Sequence, residues 1–272
     1  MINMDNKYAK YFEVNKETWN KKVVIHSKSE FYNVDEFLKG KSSLNAYEIE
    51  ELGDVKGKSI LHLQCHFGQD TLSLARLGAK CTGIDLSNEG IKKAEDLNIK
   101  LGLDVNFVES NLYDVSEKVE GTFDIVFASY GVIGWLPDLK TWAEIIASKL
   151  NKGGFFYLIE FHPIVWMFSY LESPPKLVYP YSNKDVIYEE YKGTYTNNDA
   201  DIISKEYGWN HGLSEVITSL TNVGLHIEFL HEFEKSPYNS FPEMNKTDDG
   251  MYVLKENQRM FPLLYSLKAT KI

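Results

Sequence analysis

The chain has 272 residues, 43% of them hydrophobic and 14% aromatic, which suits one large α/β domain, or one domain carrying a substantial insertion, rather than a disordered chain. A net charge of −10 disfavours a nucleic-acid partner, because phosphate binding wants a basic face. No run approaches the ~18 apolar residues of a membrane span, and the opening MINMDNKYAKYFEVNK lacks the apolar core of a secretory leader, so a cytoplasmic location is expected.

Residues 1–57 read as helices and loops of mixed polarity, an N-terminal helical cap with Trp19, Phe31, Tyr32 and Phe37 as apolar anchors. Ser59–Cys65 is a short apolar run and reads as the first strand. The spacing of Leu72, Leu74, Ala75 and Leu77 predicts a helix begun by Asp70 and ended by Gly78. Lys80–Leu86 is a second strand, Asn88–Leu101 a helix stopped by Gly102, and Val105–Glu109 a third strand. Phe123–Ser129 is nearly all apolar, as expected of a central parallel strand. Lys140–Leu150 is helical, and Gly154–Glu160 is a fifth strand after a Leu-x-x-Gly-Gly turn at Leu150–Gly154.

After Glu160 the alternation stops. Residues 163–208 are rich in tyrosine and proline and read as an insertion with short antiparallel strands. Ser214–Asn222 resumes as a helix, Leu225–Phe233 as a sixth strand, and residues 262–270 as the last. Residues 234–260 form a connection too long to be ordinary. Strands alternating with helices of about ten residues imply βαβ units, a parallel sheet and helices on both faces. Ligands of such sheets bind beyond the carboxyl ends of the strands, where the strand order reverses.

That rule selects a few residues. ILHLQCHFG, residues 60–68, runs from a strand through a loop into a helix, where backbone N–H groups and a helix N-terminus meet a nucleotide-like ligand. Alone the segment is equally an ordinary βα turn. Asp85 ends the second strand, 17 residues after Gly68, where a carboxylate accepts hydrogen bonds from both hydroxyls of a ribose. Asp70 reads mainly as a helix cap, with contact to a cofactor's ammonium group as the lesser alternative. Ser110–Asn111–Leu112 follow the third strand, and Ser129–Tyr130 follow the fourth. His162 follows strand five and His211 opens the next helix, so both are candidate bases near neutral pH. His226 and His231 belong to strand six and read as structural. Cys65 and Cys81 read as small buried hydrophobes. No zinc-type spacing is present, and the four-residue spacing of His62 and His66 falls on a strand and loop rather than a helix, so no metal site is expected.

The order of these pieces resembles the class I, S-adenosylmethionine-dependent methyltransferases. An acid ends strand two in IDLS, a polar residue ends strand three, and LNKGGFFYL precedes strand five. LHLQCHFGQDTLSLARLGA resembles a bacterial group of these enzymes whose first motif departs from the glycine-rich norm. The resemblance covers roughly residues 58–161 and continues more weakly to 272. It implies a Rossmann-like fold with a seven-stranded, mostly parallel sheet, an antiparallel last strand, and an inserted lid after strand five. Residues 58–272 would form the methyltransferase domain.

The resemblance also implies roles. Gln64, Cys65 and Gly68 would line the methionine and ribose portion of the cofactor through backbone groups. Asp85 would hold the ribose, Leu86 would lie against the adenine, and Asn111 and Leu112 would meet it. Ser129 and Tyr130 would lie beside the sulfonium, with Trp19 and Ser43 closing the site from the N-terminal segment. Where the wider family has an acid in strand one this chain has His62, and where it has the first two motif glycines this chain has Gln64 and His66.

Methyl transfer asks the protein for alignment and exclusion of water, and for a base where the acceptor must lose a proton. Tyr130 and the tyrosines of the insertion are placed to stabilise a sulfonium by cation–π attraction; His162, His211 and Tyr130 are the candidates for chemistry. The expected partner is a small-molecule acceptor under a lid formed by the insertion and residues 234–260, with the chain a monomer or homodimer. Two other readings stay open: a protein that binds S-adenosylmethionine without catalysis, and a nicotinamide-dependent dehydrogenase. The missing GxGxxG argues against the second.

Overall fold

A computed structural model describes residues 5–169, 176–241, 244–255 and 261–272. Parts of the insertion (170–175) and of the long connection (242–243 and 256–260) lie outside the described residues. Three helices come first: α1 (Asp5–His26), α2 (Val34–Leu38) and α3 (Ala46–Leu52). The alternation then follows as β1 (Ser59–His62), α4 (Gln69–Arg76), β2 (Lys80–Asp85), α5 (Asn88–Leu101), β3 (Asn106–Glu109), α6 (Val115–Lys118), β4 (Phe123–Ser129), α7 (Leu139–Lys149) and β5 (Leu150–Phe161). A two-stranded ribbon, β6 (Ile187–Lys192) with β7 (Ile203–Gly208), fills the insertion, followed by α8 (Leu213–Asn222) and β8 (Leu225–Phe233). The long connection carries three two-residue strands, β9 (Lys235–Ser236), β10 (Asn245–Lys246) and β11 (Tyr252–Val253), before β12 (Leu264–Lys271).

The main sheet has seven strands in the order β3-β2-β1-β4-β5-β12-β8. β12 runs antiparallel to both β5 and β8, and the described pairs among the first five strands are parallel. This is the fold expected from the sequence. The order reverses between β1 and β4, so their carboxyl ends mark the ligand crevice. Period-two alternation splits β4 between two cores: Val126 and Ala128 pack toward α7 and α8, Ile125 and Phe127 toward α4 and α5.

Local chemistry explains most boundaries. Ser87 accepts the Gly90 N–H at 2.9 Å and starts α5, and Gly102 stops it in the left-handed region. Asp138 caps α7 through the N–H groups of Lys140 and Thr141. Two expectations are corrected. α4 is entered through Gly68 at φ 78°, not capped by Asp70, whose carboxylate instead accepts the Ser129 hydroxyl at 3.1 Å. Residues Leu150–Gly154 are not a separate turn but the start of a twelve-residue β5 with a bulge opposite Phe123–Ile125. A side chain at Gly154 would lie 2.8 Å from the Asp124 carbonyl oxygen, so the bulge requires glycine.

The insertion is joined to the N-terminal segment. Asn15 donates to the Tyr207 carbonyl and accepts the Tyr207 N–H, both at 2.8 Å, and Thr18 donates to the Lys205 carbonyl at 2.7 Å. These side chains of α1 satisfy the open edge of β7 much as a neighbouring strand would. Lys22, buried beside them, pairs with Glu206 and donates to the Tyr191 hydroxyl at 3.0 Å.

Candidate active site

The carboxyl ends of β1, β2, β3 and β4 meet beneath α1. At β2, the Asp85 carboxylate accepts the His66 N–H and the Ser87 N–H, each at 2.8 Å. Burial pushes its pKa up to about 6, against those backbone donors. A carboxylate has about four acceptor positions, so two remain for a ligand diol. Beside it lies a cleft of about 270 Å³ lined by Phe12, Lys16, Leu86, Ser110 and Asn111 among others. Leu86 and Asn111 both line this cleft. Leu112 does not: it is buried in the core on the α7 side, because the turn after Asn111 rotates it inward.

The loop after β1 departs more. Its backbone donors are largely used within the protein: the Cys65 N–H bonds to the Ile84 carbonyl at 2.8 Å, the Gly68 N–H to the Cys65 carbonyl at 2.9 Å, and the His66 N–H to Asp85. The Cys65 thiol faces the core, where burial raises its pKa well above the usual value. Gly68 faces Phe107 and Ala94, where a side chain would clash at 2.7–2.9 Å. Cys65 and Gly68 thus shape the loop rather than offer donors from these positions. Gln64 donates to the Val132 carbonyl at 2.9 Å, and its Oε1 is buried with no partner among the described residues. It bridges the loops after β1 and β4.

A cluster of aromatic rings lies between that loop and the ends of β4 and β5. His66 contacts the rings of Trp19, His26 and Tyr32 at centroid distances of 5.1, 5.2 and 5.3 Å. His26 continues to Tyr195 at 4.5 Å, Tyr195 to Phe31 at 5.9 Å, and Phe31 to Tyr238 at 5.2 Å. Tyr238 meets Tyr130 and Phe161, both at 5.2 Å. The N-terminal segment, the insertion and the long connection each contribute to this aromatic wall. Phe31 and Tyr195 keep 44% and 49% of their surface exposed, so they form its outer side.

Acidic groups line the floor. Glu48 of α3 is fully buried and its Oε2 has no partner among the described residues. Burial, then the charge of Asp70, pushes its pKa up to about 7. Asp70 is also raised by burial, against hydrogen bonds from Ser43 and Ser129. Ser43 further contacts the Ser73 hydroxyl at 3.0 Å. Tyr130 stands in the left-handed region at φ 47°, accepts from the Asn45 amide at 3.2 Å, and is held by its N–H on the Ile159 carbonyl. Glu160 fixes the following turn through the N–H groups of Val132 and Ile133, at 2.7 and 3.1 Å.

Residues 60–154 match the family model for a methyltransferase domain. Residues 60–154 thus form a methyltransferase domain, on a fold shared with solved S-adenosylmethionine-dependent methyltransferases. Over 123 residues it is 28% identical to the ubiquinone biosynthesis O-methyltransferase of Photorhabdus laumondii, covering 44% of this chain and 51% of that one, so it spans about half the length of this curated relative. Its fold is shared with an S-adenosylmethionine-dependent methyltransferase from Mesorhizobium loti, at a TM-score of 0.55 and 19% identity, covering 85% of this chain and 99% of that one. A second such methyltransferase, from Clostridium acetobutylicum, has a TM-score of 0.57 at 14% identity, covering 93% and 98%.

In this methyltransferase domain, Gln64 and His66 occupy the first two glycine positions of the motif yet keep a left-handed backbone, at φ 53° and 52°. That conformation costs a side-chain-bearing residue about 1 kcal/mol or more. Of the two histidines chosen from sequence as bases, His211 is hydrogen-bonded at both ring nitrogens, whereas the buried His162 Nε2 approaches Glu232 without a hydrogen bond. His162 accepts the Ile164 N–H at 3.2 Å and lies 2.9 Å from Glu232. His211 is engaged by the Leu136 carbonyl at 2.7 Å and Glu215 at 3.0 Å. Sequence reading missed His26, Glu48 and Tyr238, which have no motif around them; Tyr32 read only as an apolar anchor. Only His66 carried a signal, as a bulky residue in a glycine position.

Proposed function

We propose that the protein transfers the methyl group of S-adenosylmethionine to a hydroxyl of a small aromatic acceptor. The observation that carries this reading is Asp85, held by two backbone N–H groups beside the cleft of Leu86 and Asn111. The residues fit the cofactor. Asp85 has capacity for two ribose hydroxyls, and the cleft has the apolar and amide lining an adenine needs. Glu48 and Asp70 provide negative charge for the ammonium of the methionine portion, with Ser129 and Tyr130 beside it. Trp19 and Ser43 close the site from the N-terminal segment. Residues 1–57 act as its cap.

When bound, the cofactor supplies an already activated sulfonium methyl group. The chain's own work is then to hold the acceptor in line and keep water out. Tyr130, Phe161 and Tyr238 present aromatic faces that favour a flat acceptor and attract a neighbouring cation. The insertion and the long connection cover the acceptor. The name of the curated relative, an O-methyltransferase, supports oxygen as the acceptor atom.

Calorimetry with S-adenosylhomocysteine and NADH, followed by product release over a panel of phenols and catechols, tests the reading. Saturable binding of the homocysteine product and turnover of a phenolic acceptor are expected. Tight binding of NADH alone would overturn it.

A further inference from the structure

α1 meets the rest of the protein on two faces. Ala9, Phe12, Glu13 and Lys16 line the cleft beside Asp85. Lys16 pairs there with Glu109, at the end of β3, at 2.6 Å. One turn further on, Asn20 accepts the Ser87 hydroxyl at 2.7 Å and the Glu89 N–H at 3.3 Å, and Ser87 is itself bonded to Asp85. These positions recur every three or four residues, so they share one face of the helix. Tyr11, Asn15, Thr18 and Lys22 form a second row, roughly 150° around the helix from the first. That row contacts Tyr207, Lys205 and Glu206 of β7. The 22 residues of α1 contain no glycine or proline at which it would kink, so the two rows move together.

Among the described strands β7 pairs with β6 alone, and its other edge rests on α1. Asn15 stands in for a strand there by bonding both backbone groups of Tyr207. Thr18 does the same at Lys205, donating to the carbonyl and accepting the N–H at 3.3 Å. Both side chains are buried. A two-stranded ribbon is marginal by itself in water, so the docked state of β6 and β7 depends on where α1 stands. The described residues that line the cleft include none from the ribbon. The ribbon reaches the aromatic cluster instead: Tyr195, between its two strands, meets the ring of His26 and the hydroxyl of Tyr32.

We propose that Asn15 and Thr18 are positioning residues that couple cofactor binding to docking of the β6–β7 ribbon. This rests on the function proposed above. A ligand held at Asp85 and packed between Leu86 and Phe12 fixes α1 against β2, β3 and α5. α1 so fixed presents Asn15 and Thr18 to β7, and the ribbon seats beside the rings of the acceptor side. The coupling is reciprocal: a docked ribbon holds α1 on the cleft and tightens cofactor binding.

Hydrogen exchange and calorimetry with S-adenosylhomocysteine test this. In the wild type, bound ligand should slow exchange of residues 187–208 about tenfold, the size of a typical coupling. In the double variant Asn15→Ala, Thr18→Ala that slowing should vanish and the Kd should rise about tenfold, although neither side chain lines the cleft. Ribbon exchange that ignores bound ligand in the wild type, or an unchanged Kd in the double variant, would overturn the proposal. If the double variant also loosens β4 and β5, the single variants decide: Thr18→Val should raise the Kd, while Thr18→Ser, which keeps the hydroxyl, should match the wild type. Equal Kd values for the two would overturn it. A ligand-free arm separates the coupling from the function proposed above. Asn20→Ala frees α1 from the start of α5 and should speed exchange of residues 187–208 with no ligand present. Changes confined to α1 and α5 would overturn the coupling. Failure of the wild type to bind S-adenosylhomocysteine would remove the function proposed above and leave the Asn20→Ala result to decide the coupling.

Discussion

The two ends of the site are built on opposite plans. The end at Asp85 is a half-open cleft whose polar contacts come from consecutive stretches of the central sheet and its loops. The end at Tyr130 is a packed cluster of rings assembled from α1, the loop after it, the insertion and the long connection. One end needs only the sheet and the first half of α1 that walls its cleft. The other exists only when segments up to about two hundred residues apart in the chain dock on one another, as Asn15 does with Tyr207. The packed end should therefore be the more sensitive to loss of a single contact, and the open end the more sensitive in ligand affinity.

The largest effect is expected at the seam between α1 and β7. Lys22→Ala leaves Glu206 without its buried partner and should cost about 3–5 kcal/mol in urea unfolding. A loss under 1 kcal/mol would mean that the cap and the insertion are not coupled through this pair. Glu48 gives a pH test of the same end. Its pKa in the folded protein, about 7, lies above its ordinary 4.5. The folded state therefore binds the proton more tightly, and stability should fall as pH rises from about 4.5 to 7, by up to ~1.4 kcal/mol per unit. Glu48→Gln should flatten that slope in thermal melts across the range; an unchanged slope would place its origin in another group.

At the open end the readout is affinity. Asp85→Ala should weaken binding of S-adenosylhomocysteine about 100-fold by calorimetry, since hydrogen bonds to a charged group are worth about 1.5–3 kcal/mol each. Equal binding in wild type and variant would detach Asp85 from the ligand. The smallest effect is expected between the two ends. Gln64→Gly relieves a left-handed side chain but loses the bond to Val132, so the terms offset to within about 1 kcal/mol. Its thermal midpoint should hardly move while product affinity changes measurably. An unchanged affinity would restrict Gln64 to bridging the two loops.

Much of the open end was legible in the sequence. Asp85, Leu86 and Asn111 follow strands that hydrophobic pattern alone located, and the fold rule says ligands meet those ends. The misreadings there share a cause. Leu112 and Cys65 belong to loops, and pattern does not tell which way a loop side chain turns. The candidate bases failed differently. His162 and His211 stand near the right edge of the sheet, but His211 is held by Glu215 and the Leu136 carbonyl, and His162 is buried against Glu232.

The sequence by itself determined the alternation of strands and helices, the sheet's parallel core and the acid that ends β2, because these follow from local periodicity and capping chemistry. Tertiary structure alone decided that α1 carries His26 onto His66, that Glu48 loses its solvent, and that three distant segments meet in one aromatic cluster. The physical reason is that a side chain's hydrogen-bond partners and dielectric surroundings belong to the space around it. That space is made by whatever else packs there, which neighbouring residues in the chain do not specify.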